Sequence, residues 1–237
     1  MADANEQSSQ MEATTEELDY ITAVFTEFLQ PITDLCDLML RLRCGEPNEV
    51  QAAGPENGYA RSIIALTAFL FEGACGRARY FSCLDQQKRW SAADTVREFG
   101  EIALADKIEE IFVVRHAIAQ AHLWKAKVSW VNNDLRFTEL PTRLPGYGDK
   151  NFDKVVDPKS RTTRKLNLDV FPPRIHRGTA IIALKECVEA LQSLEMKHEE
   201  FLKLALRTVR FRGKFVRFYR WFGNSPPDAR EQPTRPY

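Results

Sequence analysis

Through most of this chain the apolar residues recur every three or four positions, the spacing that turns one face of an α-helix toward a core. The first run reads Leu18, Ile21, Phe25, Phe28, Leu29, Ile32, Leu35, Met39 and Leu42. Thr14 and Glu17 ahead of it form a capping-box pattern, and Pro31 predicts a kink. A loop rich in Gly, Pro and Asn follows over 44–58, and a second helix is expected from about Tyr59 to Arg89, with Ile63, Leu66, Leu70, Ala74 and Ala78 facing inward. Gly73, Ala74, Gly76 and Ala78 narrow that helix, so another element can approach it closely. Ser91 and Asp94 predict a new helix start, and the pattern runs on to about Trp124 as two helices broken near Gly100.

The period then changes from helical to alternating. Residues 125–140 alternate around Asn132, Asn133 and Asp134, which predicts a β-hairpin. Residues 141–173 are polar, contain five prolines and read as an irregular excursion over the surface. A last long helix is expected after Pro172-Pro173, with Ile181, Leu184, Val188, Leu191 and Leu194 inward. No internal repeat is present. The expected class is all-α: a single bundle of four to five helices over 14–205, a short hairpin before the last long helix, and a basic helix over 206–222. Residues 1–13 and the Pro-rich 223–237 are expected to be disordered.

Charge and cysteine usage limit the setting. The chain has 237 residues and no net charge, yet residues 1–60 carry twelve acidic and two basic side chains (Arg41 and Arg43). That balance of −10 leaves +10 on the remainder, which suggests either a polyanionic partner or internal pairing of the two parts. Cys36, Cys44, Cys75, Cys83 and Cys187 form no C-x-x-C pair and mostly fall in helical apolar patterns, as buried thiols of a reducing compartment would. The acidic N-terminus has no apolar core of a secretory signal, and the longest charge-free apolar stretch, Ser62 to Phe71, is too short to span a bilayer. A cytoplasmic location is the expectation.

The segment richest in chemistry is EEIFVVRHAIAQAHLWKAK, residues 109–127. At roughly 100° per residue, Arg115 and His122 fall about 20° short of two full turns apart, on one helical face with Ala119 and Phe112. Histidine exchanges protons near neutral pH, and guanidinium can clamp a phosphate gaining negative charge. RNA supplies its own nucleophile, the 2′-hydroxyl. The bland alternative is a salt-bridged Arg115 and an ordinary half-buried His122. His116 and His122 project roughly 120° apart, which disfavours a two-histidine metal site. No HExxH, P-loop, GxGxxG or GxSxG element occurs.

RHAIAQAH (115–122) resembles the Arg-x4–6-His signature of the HEPN family, helical domains that bind and often cut RNA. The polar His116 directly after the arginine and the apolar lead-in EEIFVV are similar too, as are the helix after FPPRIHRGTA and the long helix SIIALTAFLFEGACGRARYF with its acidic Glu72. The resemblance spans about residues 15–205, with its specific part in 109–124. It implies a homodimer in which two Arg/His motifs share a cleft, with no metal or other cofactor. His122 would move the proton, Arg115 would stabilise the phosphorane, and His116 and Glu72 would support them, Glu72 by orienting Arg115. The products would be a 2′,3′-cyclic phosphate and a 5′-hydroxyl. A toxin or defence role with an antitoxin or regulatory protein as partner would follow. One departure is Gln120, which stands where many relatives carry the histidine. A catalytically silent dimer that binds RNA or protein is therefore the alternative, and a plain structural bundle is the third.

The tail LALRTVRFRGKFVRFYRWF (204–222) is basic and aromatic. Arg207, Arg210, Arg212, Lys214, Arg217 and Arg220 interleave with Phe211, Phe215, Phe218, Tyr219, Trp221 and Phe222, without an acid among them. Cations neutralise phosphates and rings stack on unpaired bases, so these cations are RNA-binding candidates. Docking on the acidic first helix suits the same composition, and an anionic membrane surface suits it less.

Overall fold

A computed structural model describes residues 24–42, 54–85, 88–119, 123–131, 134–139, 141–146, 149–197 and 202–223. A 3-10 turn, Val24–Phe28, leads into α1 (Leu29–Arg41), followed by α2 (Pro55–Phe81), α3 (Ala92–Glu98) and α4 (Ile102–Ala119). Four short strands come next: β1 (Trp124–Lys125), β2 (Val128–Val131), β3 (Asp134–Phe137) and β4 (Thr142–Arg143). The short α5 (Phe152–Val155) precedes the long α6 (Arg177–Lys197). The chain closes with β5 (Thr208–Phe211), β6 (Lys214–Arg217) and α7 (Phe218–Gly223). The architecture is mostly helical with small antiparallel ribbons.

Helix α2 is the central post, packed by α1, α3, α4 and α6. Its Ile63, Ile64, Leu70, Phe71, Ala74 and Ala78 are completely buried, so it has an apolar surface on more than one side. Each large side chain so buried contributes about 1.5–3 kcal/mol. The narrow stretch expected at Gly73 is used: a Cβ there would lie 2.5 Å from Cβ of Phe25, so only glycine lets the first 3-10 turn sit against α2.

The first turn of α2 is tied to the start of α6 by buried polar groups. Pro55 opens the helix at a position where a missing N–H costs nothing. Glu56 accepts from the Arg177 backbone N–H at 3.0 Å with one oxygen and from its guanidinium at 3.0 Å with the other. The Asn57 amide donates to the carbonyls of Pro172 and Ile175, each at 2.7 Å. This tie is why α2 begins at Pro55 instead of near Tyr59. The helix also stops earlier than its composition suggests, at Phe81 and not Arg89. Cys83 takes a left-handed φ of 50°, and the N–H groups of Cys83 and Leu84 return to the carbonyls of Tyr80 and Arg79. That is a Schellman stop without its usual glycine.

Several expected features are found as expected. Ser91 and Asp94 form a reciprocal capping box at α3. Gly100, at φ 83°, separates α3 from α4. Strands β2 and β3 form the predicted hairpin, in the register Val128↔Phe137 and Trp130↔Leu135. Pro31 lies in the first turn of α1, just after the 3-10 turn gives way to α-helix. Thr14, Glu17, Leu18 and Ile21 lie outside the described residues, as do 1–13 and 224–237.

Two expectations are corrected. The 141–173 segment is no mere surface excursion: Phe152, Val155, Val156, Leu168, Val170 and Phe171 are buried, and β4 pairs with β1. The buried Glu110 of α4 anchors it, accepting from the N–H groups of Lys165 and Leu166 at 2.8 and 2.9 Å. The basic tail is not one helix over 206–222 but a 3-10 turn, a β-hairpin and the short α7. Arg212 and Gly213 both have positive φ, 48° and 79°, which is the tight two-residue turn that matches strand twist. Alternating TVRF and KFVR then pair across it, with Val209 opposite Val216. Among the described residues, no helix is long and apolar enough to cross a membrane.

Candidate nucleic-acid interface

Arg115 lies one turn from the described end of α4, half-buried, with its guanidinium carbon 5.1 Å from the ring centre of Phe69 on α2. Its Nε is shielded from solvent and has no hydrogen-bond partner among the described residues. No carboxylate among them forms an ion pair with it, so the bland salt-bridge reading has no described partner. Glu72, the residue expected to orient Arg115, is exposed on α2 and pairs with nothing described. Phe112, on the same stripe as Arg115, sets its ring edge toward Phe71 with centroids 6.4 Å apart. Ala119 is exposed at the end of the helix. Gln120 and His122 lie outside the described residues.

His116 faces another way. Its Nδ1 pairs with an Asp149 carboxylate oxygen, and the other oxygen of Asp149 accepts from the Asn151 N–H at 2.7 Å. His116 thus helps pin the 141–173 segment to α4, away from the Arg115 stripe. Among the described residues, no cluster of three or more His, Cys, Asp or Glu is arranged to hold a metal ion. Burial pushes the Cys36 and Cys75 thiols up to about 12 and raises that of Cys187 as well, so all three stay protonated. Cys83 is a free thiol at the exposed end of α2.

The terminal hairpin separates its residues onto two faces, because strand side chains alternate. Val209 is buried and Val216 and Phe211 are half-buried on the inner face, where Phe211 meets Trp221 at 5.3 Å between ring centres. That face docks on α1. The Gln30 side chain donates to the Arg210 carbonyl at 2.9 Å and accepts from its N–H at 2.8 Å. Arg212 lies 3.4 Å from the Asp37 carboxylate, so part of the basic tail does pair with the acidic N-terminal region. Below it, the Tyr219 hydroxyl donates to Glu195 at 2.6 Å, and both burial and that carboxylate hold the phenol protonated.

The outer face is different. The cross-strand partners Arg210 and Phe215, with Thr208 and Arg217 beside them, all point to solvent, and Phe215 is 78% exposed. Arg207, Lys214 and Arg220 are exposed around this ribbon. Two of the sequence-selected cations, Arg210 and Arg217, therefore share one surface with an exposed ring. Arg212 is engaged elsewhere. Gln30 and Phe69 were not selected from the sequence, since no pattern in it ties Gln30 to a residue 180 positions away or Phe69 to Arg115.

No protein-family model matches this chain, and no curated protein or solved structure matches it.

Proposed function

We propose that this protein is a HEPN-type RNA-binding protein that holds single-stranded RNA on the outer face of its terminal hairpin. The observation that carries this reading is the solvent-facing set of Arg210, Phe215 and Arg217 on one ribbon face. Guanidinium groups neutralise backbone phosphates, and an exposed ring accepts an unstacked base without demanding its identity. The β5 edge of the same ribbon is fixed to α1 by Gln30, so the ribbon that carries the binding face is held in place before RNA arrives.

The test is the salt dependence of binding to a fluorescent single-stranded RNA. Changing both Arg210→Gln and Arg217→Gln should lower the slope of log K against log salt by about 1.4, at ~0.7 per lost phosphate contact. An unchanged slope would remove the hairpin from RNA recognition.

A second reading, metal-independent endoribonuclease activity, is favoured by Arg115. A guanidinium set on a ring and lacking a described carboxylate is free to receive a phosphate. On this reading two copies place Arg115 and His122 around one cleft, and cleavage proceeds through the 2′-hydroxyl. RNA bound but left intact by the purified protein, in EDTA and with added metal, would leave the binding function alone standing.

A further inference from the structure

A second cationic feature lies at the other end of α2, where the helix stops without a glycine. The turn after Phe81 folds back and leaves a cavity of about 340 Å³, lined by Gly76, Arg79, Tyr80, Leu84, Asp85, Lys88 and Trp90. That volume falls in the small-ligand range of roughly 300–1,000 Å³. We propose that this cavity binds a phosphorylated nucleoside, with the phosphate at Arg79 and Lys88 and the base against Tyr80 and Trp90. The inference does not rest on the RNA reading of the hairpin.

Each wall is held by contacts that are already in place. One Arg79 guanidinium nitrogen donates to the Thr95 hydroxyl at 2.8 Å, and Thr95 is itself buried and bonded to the Ser91 carbonyl at 3.0 Å. The other terminal nitrogen lies against Gly76, 3.7 Å from where a Cβ would stand. The Trp90 indole N–H donates to the Asp85 carbonyl at 2.8 Å, which fixes the plane of the ring. The Lys88 ammonium sits 3.7 Å from the centre of that ring. Tyr80 is 52% exposed and braced edge-on by Phe81 at 5.5 Å.

The charges select the ligand. Neither Arg79 nor Lys88 forms an ion pair with a carboxylate among the described residues. Asp85 is the one carboxylate among the lining residues; Asp94 lies close enough to Lys88 to feel its charge but is engaged in the α3 capping box, and Glu72 stands one turn before Gly76 on α2. Two cations against one lining carboxylate favour an anion. A phosphate monoester brings about −1.5 to −2 charges and three strong acceptors, which a forked guanidinium and an ammonium match better than a single carboxylate would. Two aromatic side chains beside them suit a planar base, and the cavity has room for little more than one nucleotide.

Isothermal titration calorimetry on the full chain tests this, using adenosine 5′-monophosphate, adenosine, inorganic phosphate and a 5′-phosphorylated tetranucleotide. The monophosphate is expected to bind at least about tenfold more tightly than adenosine or phosphate, because both ends of the cavity contribute. Arg79→Gln and Lys88→Gln should each weaken it by about 10- to 100-fold, the usual cost of losing a charged hydrogen bond. Lys88 is exposed, so K88Q keeps the test valid if R79Q disturbs the Thr95 contact. Equal affinity for the tetranucleotide would assign the cavity to a strand end, and a preference for the monophosphate would assign it to a free nucleotide. Absence of heat with both phosphorylated ligands at millimolar concentration overturns the proposal, and so does affinity unchanged by K88Q.

Discussion

Arg115 and the pair Arg210 and Arg217 carry the same guanidinium under opposite conditions. Arg115 is half-buried over the Phe69 ring, with an Nε that water does not reach and no described acceptor meets. Arg210 and Arg217 stand in solvent on either side of Phe215. A shielded N–H without an acceptor costs about 1–3 kcal/mol, whereas an exposed one costs nothing. The helix position therefore holds its cation against a ring, and the ribbon position leaves its cations in water. A fixed cation can discriminate a transition state from a ground state. Solvent-exposed cations supply attraction that salt screens, and less geometry.

The largest expected effect lies at the fixed cation. On the endoribonuclease reading, Arg115→Ala should reduce cleavage of single-stranded RNA in EDTA by about 10²–10³-fold, the loss seen when one preorganised charge donor is removed. The readout is the appearance of 2′,3′-cyclic phosphate ends on a denaturing gel. Equal rates for the variant and the parent would show that the shielded guanidinium is structural, and the contrast between the two positions would lose its functional meaning.

Phe215→Ala sharpens the other side. With 78% of its surface exposed, this ring has little to lose from folding, so the melting temperature should barely move. RNA affinity should fall by about 1–3 kcal/mol, the usual value of one base stacked on an aromatic ring. Loss of stability with affinity intact would reverse the assignment.

The inner face of the hairpin should respond through stability alone. Val209→Ala removes two methyl groups' worth of burial and is expected to cost about 1.5 kcal/mol in urea denaturation, at ~0.8 kcal/mol each. The smallest effect belongs to Arg212→Ala, whose ion pair with Asp37 at 3.4 Å is half-exposed and worth less than about 1 kcal/mol. Were Arg212 to matter more than Val209, the ribbon would be held to α1 by charge and not by apolar packing.

The helices were legible because their period is long and their caps are local. Ser91, Asp94 and Gly100 announce the boundaries of α3 within a few residues of themselves. What escaped depends on contacts distant in the chain or on an unusual conformer. The α2 stop uses a cysteine in a left-handed conformation, where a glycine would have been visible. The tail has both helical-looking aromatic density and strict alternation, and the two-residue Arg212-Gly213 turn decides between them. In the 141–173 segment, Phe152, Leu168 and Phe171 are spaced too irregularly to advertise burial, and Glu110 secures them from another element. For the site, the spacing that places Arg115 on an apolar stripe was readable, but its ring partner Phe69 was not.

The two hydrogen bonds between the Gln30 amide and the Arg210 main chain carry a consequence for assembly. They occupy the outward-facing main-chain groups at the middle of β5, as a neighbouring strand would. A sheet cannot grow from that side without displacing the amide. The opposite rim of the ribbon belongs to β6, where Lys214 and Arg217 set like charges against any identical strand arriving from a second copy. Strand addition from a second copy onto this ribbon is thus blocked on one edge and repelled on the other.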